Sequence, residues 1–419
     1  MSSKSDLARV ADPRLCLGCG ACSYICTPEK VTMVDVDHVG NRPKFAEDIS
    51  TEQIREALAV CPTVSSDFGQ LKRRSDYVSS VDKKTEINWG AITGIYEGYA
   101  GDEELRFKAS SGGALTAISI YCLEQRGFHG VLQTGENRDD PLRNKTRLSR
   151  TRDELMAAVG SRYSPASICE GLGEVEAAPG LCAVVGKPVE VSATRNAMEL
   201  RPKLAEKVGV VLSFFCAETP PTKATRELMA KYEVDESNLT SLRYRGYGWP
   251  GYFATRSGKE DEKEHLIYYD AWAFLQGFRP WSAQLWPDGS GELADISFGD
   301  PWYEEPDGKN PGFSLIVTRT KLGHEIIEDA IAKGYLKATP AETWKLDKSQ
   351  KGLLDKKGAV WGRRLAHRLT GIPNTNFKDL DLFTPWRALS FQGKLRSTLG
   401  TLRRILQRGL YKSHRKQRT

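Results

Sequence analysis

Cys16, Cys19, Cys22 and Cys26, in the order CxxCxxCxxxC, constrain this chain more than any other feature of its sequence. Thiols at successive three-residue steps wrap one face of an iron-sulfur cube, and Gly18 and Gly20 between them let the backbone turn tightly and aim amides at the sulfurs. Zinc sites instead space paired CxxC knuckles well apart in sequence. In chains with two clusters the fourth cysteine of such a run serves the other cluster, which then needs a CxxCxxC run of its own. No second run is present here. The segment TEQIREALAV, with Ile54, Ala57 and Leu58 at helical spacing, leads instead into Cys61-Pro62. The expected ligands of one 4Fe-4S cluster are therefore Cys16, Cys19, Cys22 and Cys61, with Cys26, which Thr27 and Pro28 follow, as the alternative fourth ligand.

Five of the nine cysteines fall within the first 61 residues, a clustering that suits a metal centre in a reducing compartment rather than a disulfide framework. The N-terminal MSSKSDLARVADPRL has no apolar export segment. The longest apolar run, Val208 to Ala217 between Lys207 and Glu218, is about half as long as a bilayer span. A cytoplasmic chain is expected. Its net charge of +6 is local: the last 34 residues hold ten lysines and arginines and no acid, leaving −4 on the first 385. Global charge thus implies no nucleic-acid partner.

A length of 419 residues, 40% apolar and 27% charged, predicts two or three folding units. Composition divides the chain into a ferredoxin-like 4Fe-4S module (1–66), a polar linker (67–88), an α/β domain (89–340) and an irregular extension (341–419). Within the third segment, helical patterns such as ALTAISIYCLEQRG alternate with apolar runs such as LCAVVG, which implies crossovers and a mainly parallel sheet. The extension ends in a basic amphipathic helix carrying Leu395, Leu399, Leu402, Ile405, Leu406 and Leu410. Two placements suit that helix. It lies on an anionic membrane face as a peripheral contact, or its leucines dock on the protein's own body while the arginines stay solvated.

Several phrases exceed what packing requires: KASSGGALTAI (Lys108 to Ile118), SRYSP (Ser161 to Pro165), VVGKPVEV, SFFCAETPP, SLRYRGYGWPG (Ser241 to Gly251) and ELADISFGDPWY. With the cysteine-rich start, they resemble the coenzyme F420 hydrogenase/dehydrogenase beta-subunit family from about residue 10 to about residue 340. That family includes the flavin-carrying subunit of F420-reducing hydrogenase and the plant hydroxymethyl chlorophyll reductase. The resemblance implies that 89–340 is an α/β flavin domain and that the chain is an FAD-dependent oxidoreductase coupled to the cluster. It also implies a redox partner, a ferredoxin or reduced deazaflavin, and a small organic substrate.

Ser110-Ser111-Gly112-Gly113 precedes a helix predicted from Ala114. Alone it reads as a turn with an N-cap; with the resemblance it reads as the cradle of the FAD diphosphate, which a helix N-terminus favours. An aspartate at Gly112 is then expected to expel the flavin and spare the fold. Arg162 and Lys187, in polar breaks between apolar runs, read alone as solvated surface charges; with the resemblance they are expected to stabilise a reduced isoalloxazine anion. Arg243 and Arg245, set among Tyr244, Tyr247 and Trp249, suit a flat ring or an anionic tail, or else a tight hairpin. Asp300, in the family's GD phrase, is expected beside the flavin or as a strand-end turn. None of the six histidines lies in these phrases, which argues against histidine-centred hydrolysis.

Relatives that hold a further cluster in this domain carry cysteines where this chain has Val189, Ala283 and Trp286, and of that set Cys216 alone survives. One thiolate does not hold a cube, so Cys122, Cys169, Cys182 and Cys216 are expected to be core thiols. This loss gives a second reading, an electron-transfer or scaffold subunit whose flavin domain has decayed.

Overall fold

The computed structural model describes residues 12, 14–73, 77–307 and 310–412. Its centre is an eight-stranded sheet built from β4 (Gly94–Ala100), β5 (Gly130–Glu136), β6 (Asn144–Ser149), β7 (Cys182–Gly186), β8 (Val208–Phe214), β12 (Ile296–Gly299), β13 (Ser314–Thr318) and β14 (Leu336–Pro340). The spatial order is β14-β4-β13-β12-β8-β7-β5-β6. Strands β12, β8, β7 and β5 pair in parallel, as helical crossovers between apolar runs require. The outer pairings are antiparallel, yet β4 shares the direction of the central four, so five of the eight strands point one way.

Central strands of this sort are buried on both faces, and β7, CAVVG, is buried at every position. Its alternate residues feed two cores. Ala183 and Val185 join Val210, Leu212 and Ile296 beneath the helices Ala114–Glu124 and Lys321–Ala332. Val184 points the other way, to Ala193 and Ala197 of the helix Pro188–Leu200 and through them to the cysteine-rich segment. That segment comprises the helix Ala21–Cys26, the hairpin β1 (Val31–Val36) and β2 (Gly40–Phe45), and the helix Thr51–Val60, which Ser50 and Gln53 start with a capping box. Ala21, Ile25, Val31, Ala57 and Val60 are all buried against the main domain. A third core lies under the small sheet of β9 (Leu239–Arg243), β10 (Tyr252–Ser257) and β11 (Lys263–Ile267).

The linker 67–88 contains a helix, Lys83–Trp89, capped by Asp82. The extension predicted to be irregular is largely helical: Trp344–Ser349, Lys351–Leu369, Phe383–Ala388 and Phe391–Gln407. Between them, β15 (Asn376–Lys378) pairs in parallel with β3 (Ser65–Asp67), the strand that follows Cys61. Thr375 Oγ1 also donates to the Thr63 carbonyl at 2.8 Å, so the C-terminal region straps the N-terminal module.

The last helix meets the expectation of docking on the body in half of its apolar residues: Ile405 is buried against Ala366 and Ile372, and Leu402 and Leu410 pack beside it. Ser397, Thr401 and Ile405 are the buried positions, whereas Leu395, Leu399 and Leu406 are exposed. A close approach of two helices explains the choice: a Cβ on Gly362 of Lys351–Leu369 would stand 2.4 Å from Ser397 Oγ and 2.8 Å from Thr398 Oγ1. Small residues on both sides let the backbones meet, and leucines would hold them apart. Among the described residues no helix is long and apolar enough to cross a membrane.

Candidate functional site

Two cavities share one wall. Cys16, Cys19, Cys22 and Cys61 line the first, together with Met33, Pro43, Pro62 and Val189. All four thiols are buried or nearly so. Burial raises the Cys22 thiol well above its usual range, and Cys19, Cys16, Cys61 and Cys26 push it further, so all four lie within electrostatic reach and the cavity lining alone separates Cys61 from Cys26. Among the described residues no three metal-binding side chains converge on the volume of a single ion. Cys26 turns away from the cavity: its Sγ donates to the Gln53 carbonyl at 3.1 Å and lines no part of it.

Two contacts here were not legible in sequence. Arg42, from β2, has its Nε and Nη2 buried without a partner, and its charge partly offsets the rise that burial imposes on the Cys16 thiol. Arg42 itself lines not the cysteine cavity but a small neighbouring one, with Leu17, Lys187 and Glu218. Cys169 is buried as a core thiol should be, but its backbone N–H donates to the Cys19 carbonyl at 3.0 Å, while its thiol is hydrogen-bonded to the Glu190 carbonyl at 3.5 Å and raises the Cys19 thiol. Ser167 completes the link, accepting from Asn41 Nδ2 at 2.7 Å and donating to the Gly18 carbonyl at 2.8 Å.

The second cavity, about 310 Å³, opens at the carboxyl ends of β7, β8 and β12, where α/β sheets bind their ligands. Ser110, Ser111, Gly113, Arg162, Lys187 and Asp300 all line it, although they lie far apart in sequence. The helix Ala114–Glu124 starts at its edge with Gly113 as N-cap and no side chain on its first N–H groups, which leaves them for an anion. Flat walls come from Phe215, Tyr163, Tyr268, Trp272 and Trp302. Tyr268 and Trp302 stack at 5.5 Å with an interplanar angle of 9°. These walls, the free helix N-terminus and the cation of Lys187 fit a flavin with an anionic tail.

Arg245 holds this cradle together. It is 1% exposed, pairs through Nη2 with Asp300 at 2.7 Å, and donates to the carbonyls of Ser110 at 2.8 Å and Pro250 at 3.2 Å. Ser111 in turn donates to Asp300, and Ser314 Oγ to the Ser111 carbonyl at 2.5 Å. The guanidinium is thus spent on the loop rather than offered to a ligand. Arg162 lines the cavity, but its donors are taken by Asn144, Glu136 and the carbonyls of Leu242 and Pro141. Arg243 does not reach the cavity, because Glu262, Glu264 and the Gly246 carbonyl hold it beside the hairpin.

Gly112 also stands elsewhere than the sequence suggested. Its φ is 69°, and a Cβ there would meet the Gly312 carbonyl at 2.6 Å and Phe313 Cα at 2.7 Å. An aspartate at this position collides with backbone behind the cradle, so it disturbs the fold and is no clean probe of the ligand.

Lys187 is the cation that does face the cavity. Burial alone would lower its pKa, but Glu190, Glu218 and Cys216 outweigh burial and hold it above the usual range, so it stays charged. Its Nζ lies 3.4 Å from Glu190 Oε1. Burial raises the Glu218 carboxyl, whose Oε1 is buried without a partner. Val189, Ala283 and Trp286 are buried. Gln350 and Leu353 of the extension line the cavity too, and Gln350 Nε2 donates to the Asp300 carbonyl at 2.8 Å.

The wall between the cavities is the first turn of Pro188–Leu200 and the segment 166–169. Val189 lines the cysteine cavity, while Lys187 and Glu190, on either side of it in sequence, line the other. Ala166 and Ile168 face the second cavity, and Cys169 faces Cys19.

Comparison with known proteins places this architecture. The coenzyme F420 hydrogenase subunit beta of Methanosarcina barkeri is 28% identical over 253 residues, covering 58% of this chain and 79% of that protein. The subunit of the same name from Methanococcus voltae is 25% identical over 282 residues, 65% of this chain and 94% of the relative. A solved structure, the xenon-derivatised F420-reducing [NiFe] hydrogenase complex of M. barkeri, aligns with a TM-score of 0.49 at 23% identity, covering 65% of this chain and 94% of the matched one. The family models for the coenzyme F420 hydrogenase/dehydrogenase beta subunit match residues 95–172 (N-term) and 181–343 (C terminus). More than half of the chain is matched in this way, and it belongs to the coenzyme F420 hydrogenase/dehydrogenase beta-subunit family.

Proposed function

We propose that this chain is an iron-sulfur flavoprotein oxidoreductase, with one 4Fe-4S cluster on Cys16, Cys19, Cys22 and Cys61 and FAD in the second cavity. The shared wall carries the reading, because a single helical turn, Lys187 to Glu190, borders both cavities. A flavin supplies exchange between one-electron carriers and two-electron chemistry. The chain's own residues bind and orient it. The helix N-terminus after Gly113 takes the diphosphate, Arg245 and Asp300 brace the loop, and the aromatic walls exclude water from the ring. Lys187 holds positive charge where a reduced ring gathers negative charge. The electron donor is a ferredoxin or a reduced deazaflavin, the substrate a small organic molecule, and the setting cytoplasmic.

An optical spectrum of anaerobically purified protein, before and after dithionite, tests this reading. Flavin bands over a broad cluster shoulder, both bleached on reduction, are expected. A cluster shoulder alone would favour the scaffold reading that the loss of cysteines at 189, 283 and 286 suggests.

Arg42 provides a finer check. Removing its charge as Arg42→Gln should make the cluster harder to reduce, shifting its midpoint potential downward by on the order of tens of millivolts, since net charge and hydrogen bonds to sulfur set such potentials. Redox titration followed by electron paramagnetic resonance measures this. An unchanged potential would sever Arg42 from the cluster.

A further inference from the structure

The helix Phe391–Gln407 turns outward the side chains that a docked helix would bury. Phe391 is 75% exposed, Leu395 40%, Leu399 56% and Leu406 69%. Steps of four and seven residues place them on one stripe. The helix is anchored by Ser397, Thr401 and Ile405 against Lys351–Leu369, with Leu402 packed beside Ile405, so the stripe of Phe391, Leu395, Leu399 and Leu406 is spare. Arg396 and Arg403 are exposed next to it, and Arg404, Arg408 and Lys412 extend the charge. No acidic residue follows Asp381 anywhere in the sequence.

We propose that this helix binds the surface of an anionic lipid bilayer, lying in its plane with the leucine stripe at the acyl boundary and the arginines among the headgroups. Charge complementarity selects an anionic surface. The stripe's chemistry selects lipid over an acidic protein. Protein interfaces concentrate their binding in tryptophan, tyrosine and arginine pockets, with leucine under-represented. A continuous aliphatic stripe led by one phenylalanine and flanked by cations is the composition of an interfacial helix. Each basic residue near the surface strengthens binding about fivefold at low salt, and the attraction is screened within about 8 Å at physiological ionic strength. The membrane would hold the body by its last helix, which lies beyond the end of both matched family models.

The test uses the full-length protein and vesicles of phosphatidylcholine with or without phosphatidylglycerol. Sedimentation with the anionic vesicles, falling as salt rises, and little with phosphatidylcholine alone are expected. Leu399→Asp with Leu406→Asp changes only exposed positions, and circular dichroism should show the fold intact. Its partitioning should drop about tenfold or more. Arg396→Gln with Arg403→Gln should lose about twenty-five-fold at low salt. Three results would overturn the proposal: no sedimentation at low salt, equal binding to both vesicle types, or a leucine variant that binds as tightly as the parent.

Discussion

Cys61→Ser strips the protein of most of its cluster, while Cys26→Ser leaves cluster content near the parent's. That contrast is expected because Cys61 lines the four-thiol cavity and Cys26 spends its thiol on the Gln53 carbonyl behind the helix. Outer-shell changes alone cost metal sites about 10–100-fold in affinity, so loss of a ligand should cost at least that much. Iron and acid-labile sulfide per chain after anaerobic reconstitution give the answer. A larger loss in Cys26→Ser would hand the fourth position to Cys26. Iron near eight per cluster-loaded chain would instead show a second cluster that the buried Val189, Ala283 and Trp286 do not provide for.

Arg245→Met should lower stability by about 3 kcal/mol, the lower end of the cost of breaking a buried ion pair, since Asp300 keeps some solvent contact. The variant leaves Asp300 without its cation and the Ser110 carbonyl without its donor, so the loop that starts the helix at Ala114 slackens and flavin retention should fall with stability. Adding Asp300→Asn removes the stranded charge and should recover much of the stability without restoring the flavin. Chemical denaturation and bound-flavin absorbance read the two effects separately. If Arg245→Met keeps its flavin at full stability, the brace lies elsewhere.

What the sequence made legible follows from how local each signal is. The cysteine spacing lies within a single turn-helix unit, and the distal Cys-Pro follows an amphipathic helix whose period is readable, so the four thiols were found together. The phrases around Ser110, Lys187 and Asp300 end strands or start helices, and such points converge at one edge of a parallel sheet. Pairing partners were less visible. Arg243 and Arg245 sit two residues apart in the same phrase, yet Glu262 claims one and Asp300 the other, and nothing local distinguishes them. Arg42 carries no motif at all; it matters because the hairpin folds over Cys16. The last helix misled for a related reason. Leucines mark the apolar face of an amphipathic helix, but here that face divides: Leu402, Ile405 and Leu410 pack inward, while close backbone approach at Gly362 selects serine and threonine beside them and leaves Leu395, Leu399 and Leu406 outside.

The pairing of β15 with β3 sets an order of events during synthesis. Asn376 donates its N–H to the Val64 carbonyl at 2.9 Å, and Phe68 donates to the Lys378 carbonyl at 3.0 Å, so one flank of the cysteine module is made of chain that leaves the ribosome late. Until then β3 has an open edge and the loop after Cys61 lacks the Thr375 hydroxyl. Contacts so distant in sequence form slowly. If these thiols hold the proposed cluster, a nascent chain would show them with one side ajar, and pairing of β15 would close that side behind the cluster. Protein shortened before residue 376 would never close it, and should release its iron to a chelator faster than the full chain does.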